Sequence, residues 1–129
     1  MGGEVSKLTK AQWIETFRAA REILTTKGWS QGEFARDASR RPCPPPSPEA
    51  CSFCLIGAVW RALADQGQAR PGRRRHAEVT LEQFIPEPDA ARGYDNIPAF
   101  NDQATIEDVL ALLDNAIKTL EKENESHHE

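Results

Sequence analysis

The sequence predicts an all-α fold: a single small domain of four or five helices around one central buried helix. Three observations carry that expectation. Apolar residues recur at helical spacing near both ends of the chain, the stretch from Pro48 to Gln66 is apolar on nearly every side, and no two alternating segments offer strands that could pair. With 129 residues, 39% of them hydrophobic, the chain has the length and composition of one compact domain over 1–129. Its aromatic residues run from Trp13 to Phe100, so most of the chain is expected to share the core.

The first helix is expected to open at Thr9, where Thr9 and Gln12 form a capping-box pattern. Trp13, Phe17, Ala20 and Leu24 give its apolar stripe, and Gly28 is a natural stop. In WSQGEFARDASRR, Ser30 and Glu33 suggest a second cap before one or two helical turns carrying Phe34. SRRPCPPPSP can be neither helix interior nor central strand, because each proline removes a donor and pushes its predecessor toward extended backbone. It reads as a stiff connector.

Ser47, Pro48 and Glu49 then supply a hydroxyl cap, a proline at the first helical position and a carboxylate facing the positive helix end. They predict that the central helix starts at Pro48, with Cys51, Cys54 and Ala58 on a small-residue face and Phe53, Ile56, Trp60 and Leu63 on a large one. Gly67 ends it. A loop, QGQARPGRRRHAE, precedes a short helix in EVTLEQFI. Residues 87–104 are expected to be irregular and pinned by Tyr94, Ile97 and Phe100. Thr105 and Asp108 cap a last helix with the clearest period in the chain, from Ile106 to Leu120. The ends, about 1–8 and 122–129, are expected to fray, with His127 and His128 a solvated terminus.

GWSQGEFARDASRRP, SPEACSFCLIGAVWRAL and AFNDQATIEDVLALLDNAI together resemble a small uncharacterised bacterial and phage family. Its pattern is a Trp and an Ala-Arg-Asp turn, a Cys-x-x-Gly-Ala helix, and an aromatic-Asn-Asp loop before a Thr-capped final helix. The likeness covers residues 28–118 and implies a small, mostly helical domain without an assigned activity. Phe100 stands where the pattern has Trp, and Cys43 and Cys51 lie outside it.

Charge is segregated along the chain. Residues 36–76 carry eight arginines against Asp37, Glu49 and Asp65, whereas residues 77–129 carry thirteen acidic side chains against three basic ones. That distribution argues against a nonspecific nucleic-acid coat, since the acidic part would repel phosphates, and it permits a local basic patch. The polar start lacks a signal-peptide core and no segment is long and apolar enough for a membrane span, so no membrane association and a cytoplasmic setting are expected. Gly2 and Ser6 match a loose myristoylation pattern but read as an ordinary flexible start.

Four chemical readings of the cysteines compete. Cys43, Cys51, Cys54 and His76 could hold zinc as a Cys3His set, although a C-x-x-C inside a helix is poorly placed for it. A redox pair would need its first thiol at a helix N-terminus, a position that Ser47 takes in this reading. Cys54, His76 and Asn101 or Asp102 follow the chain order of papain-like hydrolases, with thiol as nucleophile and imidazole as base. The fourth reading, favoured here, is that the thiols pack as small apolar side chains. No nucleotide-binding, dinucleotide-binding or zincin motif is present.

The remaining polar cluster is Arg70, Arg73, Arg74, Arg75 and His76, with Arg36, Arg40 and Arg41 as possible additions. Guanidinium groups grip carboxylates and phosphates with two parallel hydrogen bonds. The sequence therefore points to a noncatalytic binding or accessory protein with an arginine-rich loop. Its expected partner is an acidic protein surface or an anionic ligand, with nucleic acid less favoured and no cofactor. The alternative is a cysteine-dependent hydrolase or a zinc module.

Overall fold

The computed structural model describes residues 7–126, and within them the fold is mostly helical with one short two-stranded sheet. Helix α1 spans Lys10–Thr26 and opens on the expected capping box: the Thr9 hydroxyl accepts from the Gln12 amide at 3.1 Å and the Gln12 side chain accepts from the Thr9 amide at 2.8 Å. Its apolar stripe is buried, as the period requires. The final helix, α6, spans Ile106–Ser126 and is capped by the reciprocal Thr105 and Asp108 contacts. It buries Val109, Leu112, Leu113, Ala116 and Ile117 against the same core.

α1 and α6 pack antiparallel, and their outer edges are laced by ion pairs in matching descending order: Lys10 with Glu123, Arg18 with Glu121, Arg21 with Asp114. Part of the acidic excess of the last third is thus met by bases of the first. The helix runs to Ser126, four residues past the expected start of fraying, because this pairing continues to Glu123. Gly2, Ser6, His127 and His128 lie outside the described residues.

Between these helices the chain departs from the sequence reading. Ala35–Arg36 (β1) pairs antiparallel with Ser52–Phe53 (β2), so Phe34 precedes a strand and not a helical turn. Helix α2 spans Leu55–Asp65 with Cys54 as its N-cap, and does not start at Pro48. Ser47 caps a tight turn instead, its hydroxyl accepting from the Glu49 amide at 3.1 Å. The local start signal is overridden because residues 51–54 spend their amides on other segments: Cys51 N–H donates to Arg36, Phe53 N–H to Gly28 and Cys54 N–H to Phe34. Arg61 straps the proline loop to α2 by donating to the carbonyls of Pro45 and Ser47, both at 3.0 Å.

α2 ends where expected. Gly67 takes a φ of +70°, and the bonds Gln68 N–H to Leu63 and Gly67 N–H to Ala64 close a Schellman motif. α2 packs on α1, antiparallel to it, with Thr16 and Gln66 meeting at 2.9 Å at one end. Helix α3 covers Arg73–Glu82 and absorbs the arginine run that the sequence places in a loop. Residues 87–104, expected to be irregular, contain α4 (Glu87–Ala91) and α5 (Ile97–Gln103), the latter capped by Asn96. Ile97 and Phe100 are buried as anticipated, while Tyr94 is half-buried.

Candidate functional site

Helices α2, α3 and α5 and the strands around β1 bring the singled-out residues to three places. The first is the junction of the loop-rich end with the helices. Asn101 on α5 is fully buried there. Its Oδ1 accepts from the Trp29 indole at 2.7 Å and the Leu55 amide at 2.9 Å, and its Nδ2 donates to the Ser30 carbonyl and to Asp102, both at 3.2 Å. Every hydrogen-bonding position of that amide is used, so Asn101 is a clamp across three segments. Asp102 is committed as well, its carboxylate accepting from the Gly32 amide at 2.9 Å.

Cys54 lies beside this clamp. It is buried, and its sulfur accepts from the Gly57 amide at 3.3 Å. Burial pushes the thiol up to about 11, against the opposing pull of the Gly57 and Ile56 amides. The sulfur thus caps the helix in a setting that disfavours the thiolate, the form in which a cysteine acts as a nucleophile. Gly57, one turn on, is required for the same junction: a β-carbon there would stand 1.9 Å from the Phe34 carbonyl oxygen. The Cys-x-x-Gly-Ala pattern thus has a packing account in this structure, a thiol that caps and a glycine that admits a crossing backbone.

Neither Cys51 nor Cys43 joins Cys54 in an apolar face. Cys51 is exposed because its segment is extended toward β1, and Cys43 is half-buried, its thiol pushed up by desolvation and by nearby acidic groups. His76 stands elsewhere, stacked on Trp13 at 5.2 Å. Trp13 is in the first turns of α1, at the α2 end marked by Gln66, whereas Cys54 caps the opposite end of an 11-residue helix, about 16 Å long at the usual rise. The structure does not bring Cys54 and His76 together, and among the described residues no three His, Cys, Asp or Glu side chains cluster as metal ligands would.

The arginines are divided by the turn of α3. Arg73, expected in an exposed loop, is 8% exposed and donates through Nη1 to both the carbonyl and the side chain of Gln68. Arg74 lies over the rings of Trp60 at 5.0 Å and Phe34 at 5.2 Å, and those rings meet edge to face. Arg75 reaches Glu78 at 3.1 Å and Glu82 at 3.8 Å. A positive run at a helix N-terminus opposes the helix dipole. Together these contacts offset that cost, and among them that of Arg74 with Trp60 and Phe34 reaches a distant segment, whereas those of Arg73 and Arg75 are made to near neighbours in sequence.

The result is a cleft of about 320 Å³ lined by Trp60, Leu63, Arg70, Arg74 and Arg75 together with the Ala69–Gly72 turn. Arg36 and Arg40 line a different recess, beside Lys27, Trp29 and Cys51, and Arg36 is occupied by the carbonyls of Gln31 and Arg40. Sequence reasoning missed Phe34 and Trp60 as partners of Arg74. Nothing local joins positions 34, 60 and 74; only the folded chain does.

Among the described residues no helix is long and apolar enough to cross a membrane. No curated protein and no solved structure matches the chain. One family model does, over residues 9–119, a span that takes in the Trp29–Asn101 clamp, the Cys54 cap and the α3 arginines. The chain therefore belongs to DUF6197, a family of unknown function.

Proposed function

We propose that this chain is a noncatalytic binding protein whose α3 corner recognises carboxylates on an acidic partner surface. The observation that carries the reading is Arg74, whose guanidinium carbon lies 5.0 Å from the centre of the Trp60 ring and 5.2 Å from that of Phe34, with Arg70 and Arg75 lining the same cleft. A guanidinium held over aromatic rings loses little freedom on binding a carboxylate, and Arg74, whose Nε already faces Glu78 at 4.0 Å, would exchange or share that contact with a partner's carboxylate. Phe34 at 39% and Val79 at 51% are the large hydrophobic side chains left exposed among the described residues, and they flank these arginines, Phe34 beneath Arg74 and Val79 one turn beyond Arg75. Aromatic and arginine side chains of this kind anchor protein interfaces. The proposal includes a one-domain protein in the cytoplasm, where Cys43, Cys51 and Cys54 would stay reduced.

The test compares a glutamate-rich peptide with single-stranded DNA of equal charge at low salt, using wild type and Arg74→Ala. The peptide should bind the wild type and weaken by about tenfold in the variant, a size typical of losing one interface arginine. Binding of neither probe, or of DNA alone, would sink the reading. The cysteine hydrolase alternative draws no support from Cys54, whose setting disfavours the thiolate, or from the position of His76.

A further inference from the structure

The recess that Arg36 and Arg40 share is distinct from the α3 cleft, and no residue lines both. Its volume is about 660 Å³, within the range of small-molecule sites. Lys27 at the C-terminal cap of α1, Trp29, and Arg36, Asp37 and Arg40 around the turn after β1 line it, together with Cys51 and Ser52 from the β2 segment. Three of these groups are set before any ligand arrives. Arg36 donates to the carbonyls of Gln31 and Arg40, both at 3.1 Å, and Asp37 Oδ1 accepts from the Ser39 and Arg41 amides, both at 2.9 Å. The Trp29 ring is fixed by the bond of its indole to Asn101.

The charges of this recess are not paired with one another. Among the described residues Lys27, Arg36 and Arg40 enter no ion pair, with Asp37 or with any other carboxylate. The two carbonyls on Arg36 orient the guanidinium and carry no net charge. Asp37 Oδ2 accepts no hydrogen bond among the described residues, and the Ser52 hydroxyl makes none. Ser30, also in the lining, has a buried hydroxyl oxygen without a partner, a deficit that an oxygen-rich ligand can make good.

Three cations against one carboxylate leave two positive charges in excess. A phosphate monoester, with a charge of about −2 at neutral pH and three acceptor oxygens, matches that excess. A carboxylate would bring one charge and two oxygens. A bare phosphate would leave Asp37 facing an anion, and a strand of nucleic acid would add further anions against it. A body that carries hydroxyl groups donates to that carboxylate instead.

We propose that this recess binds the phosphate monoester of a small sugar, its phosphate toward Lys27, Arg36 and Arg40 and a sugar hydroxyl donating to Asp37 Oδ2. The site is independent of the acidic-surface reading of the α3 cleft, because Arg70, Arg74 and Arg75 take no part in it.

Ribose 5-phosphate serves as the probe, with ribose, ribonate and inorganic phosphate as controls, all at low salt. Binding is followed by calorimetry and by the rate at which iodoacetamide alkylates Cys51, an exposed thiol of the lining. Ribose 5-phosphate should bind saturably, one per chain, and slow the alkylation of Cys51. Each control should bind about tenfold more weakly or worse, the effect of losing one hydrogen bond to a charged group. Adenosine monophosphate carries the same sugar phosphate and should bind at least as tightly; equal affinity assigns the site to free sugar phosphates, and higher affinity to nucleotides. Lys27→Gln/Arg40→Gln should weaken ribose 5-phosphate by about tenfold or more, while Arg70→Ala/Arg75→Ala should leave it as in the wild type. The proposal is overturned if ribose 5-phosphate shows no saturable binding or leaves Cys51 unprotected, if ribonate or inorganic phosphate binds as tightly, if the Lys27/Arg40 variant binds unchanged, or if the Arg70/Arg75 variant loses binding.

Discussion

The seam between α1 and α6 and the junction around Asn101 hold the same molecule together by different means. The seam is generic: two long amphipathic helices bury an apolar stripe, and its polar contacts are ion pairs on the rim between half-exposed side chains. The junction is particular: a saturated buried amide, a thiol cap and a glycine under a crossing carbonyl, each set by a specific polar or steric contact. Burial of apolar area tolerates exchange of one hydrophobe for another, whereas a buried polar group left without its partner costs its full desolvation. Damage of equal size in sequence terms should therefore weigh far more at the junction.

Gly57→Ala should give the largest effect. The added methyl would collide with backbone and not with a movable side chain, so a loss of about 3 kcal/mol or more is expected, read as a fall in the urea midpoint or in soluble yield. An alanine variant as stable as the wild type would break the contrast outright.

Asn101→Ala should follow. It strands the Trp29 indole and the Leu55 amide, two donors that then lack an acceptor, for a loss of about 2–4 kcal/mol. Equilibrium unfolding measures it, and a cost below that of a surface substitution would refute the clamp.

Cys54 sharpens the comparison through pH. Its folded-state pKa of about 11 lies above the reference value of 9.0, so the folded state favours the protonated thiol. The stabilisation is complete below pH 9, is lost as pH rises toward 11, and is on the order of 3 kcal/mol for a shift of this size. The stability difference between wild type and Cys54→Ala should shrink over that window and stay flat below it. A difference that grows with alkalinity would show the thiolate, and not the thiol, to be the native form.

The smallest effect belongs to the seam. Arg21→Ala removes a two-point contact with Asp114 but leaves both partners at the surface, so about 0.5 kcal/mol is expected, and less at high salt. A loss approaching that of Asn101→Ala would mean the seam is as specific as the junction.

These differences follow how each region could be read from sequence. The capping boxes at Thr9 and Thr105 and the stripes from Trp13 to Leu24 and Ile106 to Leu120 are local, and they appear in the fold where the sequence places them. Gly67 ends α2 for the equally local reason that it takes a left-handed conformation. The start of α2 was misplaced because Ser47-Pro48-Glu49 is a sound cap by local rules, and only the pairing of residues 51–54 with residues 28–36 forbids it. The arginine run reads as a loop by local rules, and the contact of its helix that those rules do not relate is that of Arg74 with Trp60 and Phe34. Cys54 was expected to be buried, and it is, although as a cap and not within a helix face.

The sequence by itself determined the elements whose signals lie within one or two turns: the long helices, their caps and the apolar character of the segment that became α2. It also identified the arginines as the polar cluster of interest. The tertiary structure alone decided how those arginines divide, with Arg73 buried and bonded to Gln68 and Arg74 placed over two rings more than a dozen residues away in sequence. The physical reason is range. Helix period and capping act between residues three or four apart, whereas the partners that decide a buried cation or a buried amide are set by the meeting of segments such as 29, 55 and 101, which no local pattern relates.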